Sequence, residues 1–169
     1  MRVVALDDLT DQDFDEQWRL NVLAPFRLMT QAAPRMAARG SGRIVNVSSS
    51  SGKRPGQANV AYSVTKAAQL SLSRAFADRW ARENVLVNAV TPGPVATGLW
   101  TDPGGLGEQI AGAGKGREGI DGRAGNVPLG RFAEPLEIAD VIVFLCSARA
   151  STVTGAAWSA DGGVVPVII

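Results

Sequence analysis

Asn59-Val60-Ala61-Tyr62-Ser63-Val64-Thr65-Lys66-Ala67-Ala68 opens a stretch whose apolar positions, Leu70, Leu72, Phe76 and Trp80 among them, predict a long helix over Asn59–Glu83. Just upstream, Arg43-Ile44-Val45-Asn46-Val47-Ser48-Ser49 is short and β-branched. It is framed by Gly42 and a Ser/Gly segment, so it reads as a buried strand. Just downstream, Val85–Val90 reads as the next strand, broken by Thr91-Pro92-Gly93-Pro94. Strand, helix, strand is a right-handed crossover between parallel strands.

The same grammar extends to both sides. Thr10 reads as a helix N-cap with Asp13 completing a weak capping box. Phe14, Trp18, Val22, Pro25/Phe26, Met29, Ala33 and Met36 then continue an amphipathic helix over Thr10–Arg39, ending near Gly40. Pro25 and Pro34 are expected to bend it, because each removes a backbone donor. Gly98–Asn126 is glycine-rich and shows no period, and reads as a mobile loop. Glu134-Pro135 opens a helix reaching about Ala148, and Ala156–Ala160 reads as a last strand closed by Asp161-Gly162-Gly163. The expectation is one α/β domain over 1–169, a parallel sheet with the helices Thr10–Arg39 and Asn59–Glu83 side by side on one face.

Composition narrows the function. The formal net charge is +1 over 169 residues with no basic block, so no nucleic-acid partner is expected. No apolar run approaches the ~20 residues of a membrane span, and Met1–Leu6 is too short for a signal peptide. The single cysteine, Cys146, excludes an internal disulfide and fits a reducing cytoplasm. Its place in the apolar run Val141–Cys146 reads as core. There is no histidine, which removes Ser-His-Asp and Cys-His mechanisms; no metal site is expected.

What remains is a phenol, a cation and a hydroxyl. Tyr62 and Lys66 are four apart on a predicted helix and share a face. A nearby ammonium favours the phenolate and is expected to lower the tyrosine pKa, so that the phenol can exchange a proton with an alcohol or carbonyl oxygen. Ser49 falls at the carboxyl end of a strand, where open α/β sheets place ligands, and its hydroxyl can hold an oxygen as charge develops on it. Taken singly these signals are weak, since Tyr-x-x-x-Lys recurs by chance and a serine after a strand is usually a turn residue. Together with the Pro-Gly loop after the next strand they point to one site.

Trp18-x-x-Asn21-Val22, Gly42–Ser49, Tyr62–Ala68, Val87-Asn88-Ala89-Val90-Thr91-Pro92-Gly93-Pro94-Val95-x-Thr97, Pro128–Phe132 and Val153-Thr154-Gly155 leading to Asp161-Gly162-Gly163 succeed one another in this order. With these motifs the chain resembles the carboxyl-terminal two thirds of a short-chain dehydrogenase/reductase of the classical type. The resemblance implies a Rossmann-like, doubly wound parallel sheet and hydride transfer between NAD or NADP and a secondary alcohol or ketone. It makes Tyr62 the acid/base and Lys66 the residue that lowers its pKa and holds the ribose. It makes Ser49 the holder of the carbonyl oxygen and Asn21 the holder of a water that links the lysine to solvent. Pro92, Gly93, Val95 and Thr97 would line the nicotinamide. It also implies a homodimer or homotetramer through the two long helices.

The family's Thr-Gly-x-x-x-Gly-x-Gly turn, its ribose selector and its Asn-Asn-Ala-Gly segment do not occur in these residues, and Met1–Asp8 corresponds to the loop just after that last segment. The expected consequences are a sheet truncated at its N-terminal half, an exposed edge at Ile44–Val47 and cofactor binding weakened on its adenosine side. Two functional readings follow, an NAD(P)-dependent oxidoreductase or a catalytically silent homologue that serves as a binding or assembly subunit.

Overall fold

The computed structural model describes residues 3–166; Met1 and Arg2 of the opening segment lie outside the described residues. Three strands, β1 (Gly42–Val47), β2 (Val85–Pro92) and β3 (Ala157–Ala160), form a parallel sheet in the order β1-β2-β3. Val47 stands opposite Val90, and Ala89 opposite Ala157. All of β2 is buried, as a central strand covered on both faces must be. The long helices are α2 (Ala24–Ala38), α3 (Val60–Trp80) and α7 (Pro135–Cys146).

Alternation along β2 sorts the core into two halves. Val85 and Val87 pack with Met29 and Ala33 of α2 and Ala77 of α3. Val90 packs with Ile138 and Leu145 of α7 on the opposite face. The two long helices therefore share one face, as expected, and the sheet is doubly wound.

The first helix begins as read. Thr10 Oγ1 accepts from Asp13 N at 3.3 Å, and Asp13 Oδ2 accepts from Thr10 N at 3.1 Å. The helix runs unbroken from Asp11 to Ala38, as expected, but its register changes on the way. Helix α1 (Asp11–Trp18) passes through a π-helical segment, Arg19–Leu23, before α2 begins. Pro25 explains the change, because an α-helical register asks residue 25 to donate to Asn21 O and proline has no N–H. Pro34 lies inside α2 without ending it.

Two expectations are corrected. Gly98–Asn126 is not an irregular loop; it holds three short helices, α4 (Gly98–Thr101), α5 (Leu106–Ala111) and α6 (Gly116–Ala124). Their glycines hid the period and are also what lets α5 and α6 touch backbone to backbone. A Cβ at Gly119 would stand 2.2 Å from Gly107 O, and one at Gly107 2.5 Å from Gly116 O. Cys146 is exposed rather than core, because Ile138 and Leu145 define the inward face of α7 and residue 146 turns outward.

Gly119→Ala should force α5 away from α6 and lower stability by about 1–3 kcal/mol, the scale of overpacking a tight contact. Denaturant titration checks this; an unchanged midpoint would show that the helix pair does not depend on that contact.

Candidate active site

The site grows from two adjacent strand ends. Ser48 N donates to Val90 O at 2.8 Å, so the chain leaves β1 at Ser49 beside the point where β2 runs out at Pro92. Ser49 is extended and starts a short 3₁₀ turn, Ser50–Gly52, by accepting from Ser51 N at 3.1 Å. That bond uses a lone pair of Oγ and leaves the hydroxyl hydrogen free to donate. The turn packs against α3, where a Cβ on Gly52 would lie 2.9 Å from the Lys66 backbone. Ser48 Oγ donates to Lys66 O at 2.9 Å and makes a second link between strand end and helix.

Tyr62 sits in the first turn of α3, with the Ser49 side chain near enough to its phenol to draw its pKa down. Lys66 follows one turn on, 9% exposed, with Nζ 5.6 Å from the centre of the Tyr62 ring. Its ammonium donates to Val47 O at 2.9 Å and to Gln69 Oε1 at 3.3 Å. The structure thus brings Ser49, Tyr62 and Lys66 together.

The electrostatics correct the expectation of a lowered phenol pKa. Burial pushes Tyr62 above the ordinary tyrosine value, and the Ser49 hydroxyl offsets part of that rise. The ammonium lies against the ring and is engaged by oxygens of β1 and α3. Burial draws Lys66 itself below the ordinary lysine range.

Asn21 is placed by the π-helical segment with its side chain turned toward α3. Its Nδ2 donates to Thr65 Oγ1 at 3.1 Å and to Gln17 Oε1 at 2.9 Å. Thr65 in turn donates to Tyr62 O at 2.8 Å, so Asn21 reaches the Tyr62 turn of α3 through a threonine that the motifs alone did not single out.

Pro92, Gly93, Val95 and Thr97 form a second arm, tied to the carboxyl-terminal part of the chain rather than to α3. Gly93 N donates to Ala160 O, and a Cβ at Gly93 would meet the Asp161 backbone at 2.7 Å, which requires glycine there. Val95 bridges to Ala133. Thr97 is exposed at the start of α4, and its side chain makes no cap hydrogen bond. Tyr62 and Pro94 line different cavities, of about 510 and 540 Å³ respectively.

Fold and site together define the class: the chain belongs to the short-chain dehydrogenase/reductase family. Residues 4–165 match the family model described as enoyl-(acyl carrier protein) reductase. An uncharacterised oxidoreductase of Bacillus subtilis is 35% identical over 168 residues, covering 94% of this chain and 61% of that protein. The 3-oxoacyl-[acyl-carrier-protein] reductase of Aquifex aeolicus is 36% identical over 152 residues, covering 90% and 56%. Among solved structures, L-sorbose reductase from Gluconobacter frateurii complexed with NADPH and L-sorbose superposes with a TM-score of 0.90 at 31% identity, over 98% of this chain and 63% of that one. The chain spans less than two thirds of the length of these relatives.

Tyr62 is the one tyrosine of the sequence, so the ultraviolet absorbance of its phenolate reports this site alone. Its midpoint should lie above 10.0, the ordinary value. Ser49→Ala should raise it further, by roughly half a pH unit to one unit, because a donor to the phenolate is lost. A midpoint that Ser49→Ala leaves in place would show that the Ser49 hydroxyl does not act on the phenol in solution.

Proposed function

We propose that the chain carries the reacting centre of an NAD- or NADP-dependent oxidoreductase that interconverts a secondary alcohol and a ketone. The observation that carries this reading is the Lys66 ammonium 5.6 Å from the centre of the Tyr62 ring, with the Ser49 side chain acting on the same phenol. In the direction of reduction, Tyr62 gives its proton to the substrate carbonyl oxygen as charge builds there, and the Ser49 hydroxyl holds that oxygen. With its pKa held above the ordinary tyrosine value, the phenol is protonated at neutral pH, the form from which it donates.

The residues fit the nicotinamide half of a dinucleotide. Lys66 spends two of its three N–H donors on Val47 O and Gln69 Oε1, which leaves one for a ribose hydroxyl. The Thr97 hydroxyl, free of any capping bond, and the Val95 backbone suit the carboxamide, with Pro92 and Gly93 forming the wall. When bound, the nicotinamide supplies or accepts the hydride. Asn21 takes a supporting role, holding a water between Lys66 and solvent. L-sorbose reductase, which carries NADPH in its structure, supports the cofactor class.

We further infer that copies of the chain associate through α2 and α3. Leu28 is 71% exposed on α2, Leu20 is 67% exposed on the π-helical segment before it, and Val64 is exposed on α3, which leaves apolar side chains there for a partner to cover. Light scattering should report a dimer or tetramer, and a monomer would reject this inference.

Tyr62→Phe should lower ketone reduction by about 10²–10⁴-fold, the usual worth of a positioned proton donor. With the wild type, reduction should stay level through neutral pH, because the donor form of Tyr62 persists below its raised pKa. Alcohol oxidation, which needs the phenolate, should climb with pH over the same range. Steady-state rates in both directions check this, and a Tyr62→Phe variant as fast as wild type would reject the assignment.

A further inference from the structure

Gln69 is a buried polar side chain on α3 that the proposed chemistry leaves without a task. It is 6% exposed, three residues beyond Lys66, on a stripe where Ser73 and Ala77 face the sheet. Burying a carboxamide is unfavourable unless it is hydrogen-bonded, and here its Oε1 accepts from Lys66 Nζ. The polar row continues below it. Ser73 Oγ donates to Gln69 O at 2.8 Å and accepts from Asn46 Nδ2 of β1 at 2.8 Å.

We propose that Gln69 is a positioning residue for the reaction, its side-chain carbonyl and Val47 O forming a two-oxygen seat that keeps the Lys66 ammonium charged and aimed beneath the Tyr62 ring. The inference rests on the assignment of Lys66 and Tyr62 to the reacting pair. A buried ammonium needs compensation, and two carbonyl oxygens provide it without the full neutralisation of a carboxylate. The elements packed around Nζ present Val47 O from β1, and Gln69 and Tyr62 from α3. Tyr62 is the titratable group among them, and among the described residues no carboxylate is paired with Lys66. The seat also explains geometry. Since β1 supplies one oxygen and α3 the other, the ammonium registers the reacting helix against the strand that ends in Ser49.

The sign follows from the charged form being the one that Gln69 favours. Below the Lys66 midpoint the ammonium is present, and as pH rises through that midpoint it is lost. Removing the Gln69 oxygen moves the midpoint down, and replacing the amide by a carboxylate moves it up.

The chain has three lysines, Lys53, Lys66 and Lys115, so a carbon-13 spectrum of ε-labelled lysine is simple to follow against pH, with Lys66 assigned by Lys66→Arg. Gln69→Met should lower the Lys66 midpoint by about one pH unit, the equivalent of one hydrogen bond to a charged group. Gln69→Glu should raise it above wild type. In the active enzyme the alkaline limb of kcat for ketone reduction should move in the same order, Met below Gln below Glu. If Gln69→Met does not fold, Gln69→Glu, which keeps length and acceptor, decides alone. A Lys66 midpoint unmoved by either substitution overturns the proposal. A midpoint that shifts as described, in a protein whose turnover is indifferent to Tyr62→Phe, overturns instead the catalytic reading on which it rests.

Discussion

Parallel pairing of β1 with β2 is the constraint on which the rest depends. In register, Val47 faces Val90, and the bond from Ser48 N to Val90 O continues the ladder to the last residue before the chain turns away. Two strand ends are thereby released side by side at one edge of the sheet. From the first comes Ser49, with the turn that packs on α3; from the second comes Pro92-Gly93, folded against Asp161. Parallel strands need a crossover, and here the crossover is α3, whose first turn carries Tyr62 and whose second carries Lys66. A slip of one residue would turn Val85 and Val87 away from α2 and α3 and would move Ser49 off the phenol.

Within that frame, burial and polar contacts oppose one another at both Tyr62 and Lys66. Tyr62 is driven toward its neutral form by burial and drawn back by the Ser49 hydroxyl. Lys66 is driven toward its neutral form and steadied by two oxygens, one from β1 and one from its own helix. The two shifts run in opposite directions, phenol up and ammonium down, so burial holds Tyr62 in its protonated form while drawing Lys66 toward its neutral one.

Much of this was legible in the sequence because it rests on short-range rules. The β-branched run before Ser49 and the four-residue step from Tyr62 to Lys66 dictate strand, helix and shared face without knowledge of the fold. The capping box at Thr10 is equally local. What escaped depends on contacts between segments. The π-helical segment could have been read from Pro25, which leaves Asn21 O without its α-helical donor, but its placement of Asn21 against Thr65 needed α3 beside it. Gly98–Asn126 concealed three helices because its glycines serve backbone contact and erase the apolar period. Cys146 looked buried because the outward turn of the final residue of α7 cannot be told from a continuous apolar run. The direction of the Tyr62 shift was missed because proximity to Lys66 is visible in spacing and the extent of burial is not.

The central claim is that Ser49 and Tyr62 act on the same substrate oxygen as one unit. A double-mutant cycle on ketone reduction tests it most directly, comparing Ser49→Ala, Tyr62→Phe and the pair together. Groups that act as a unit are strongly non-additive, so the double variant should be scarcely slower than Tyr62→Phe alone. Losses that multiply, with the double variant slower by the product of the two single effects, would contradict the account.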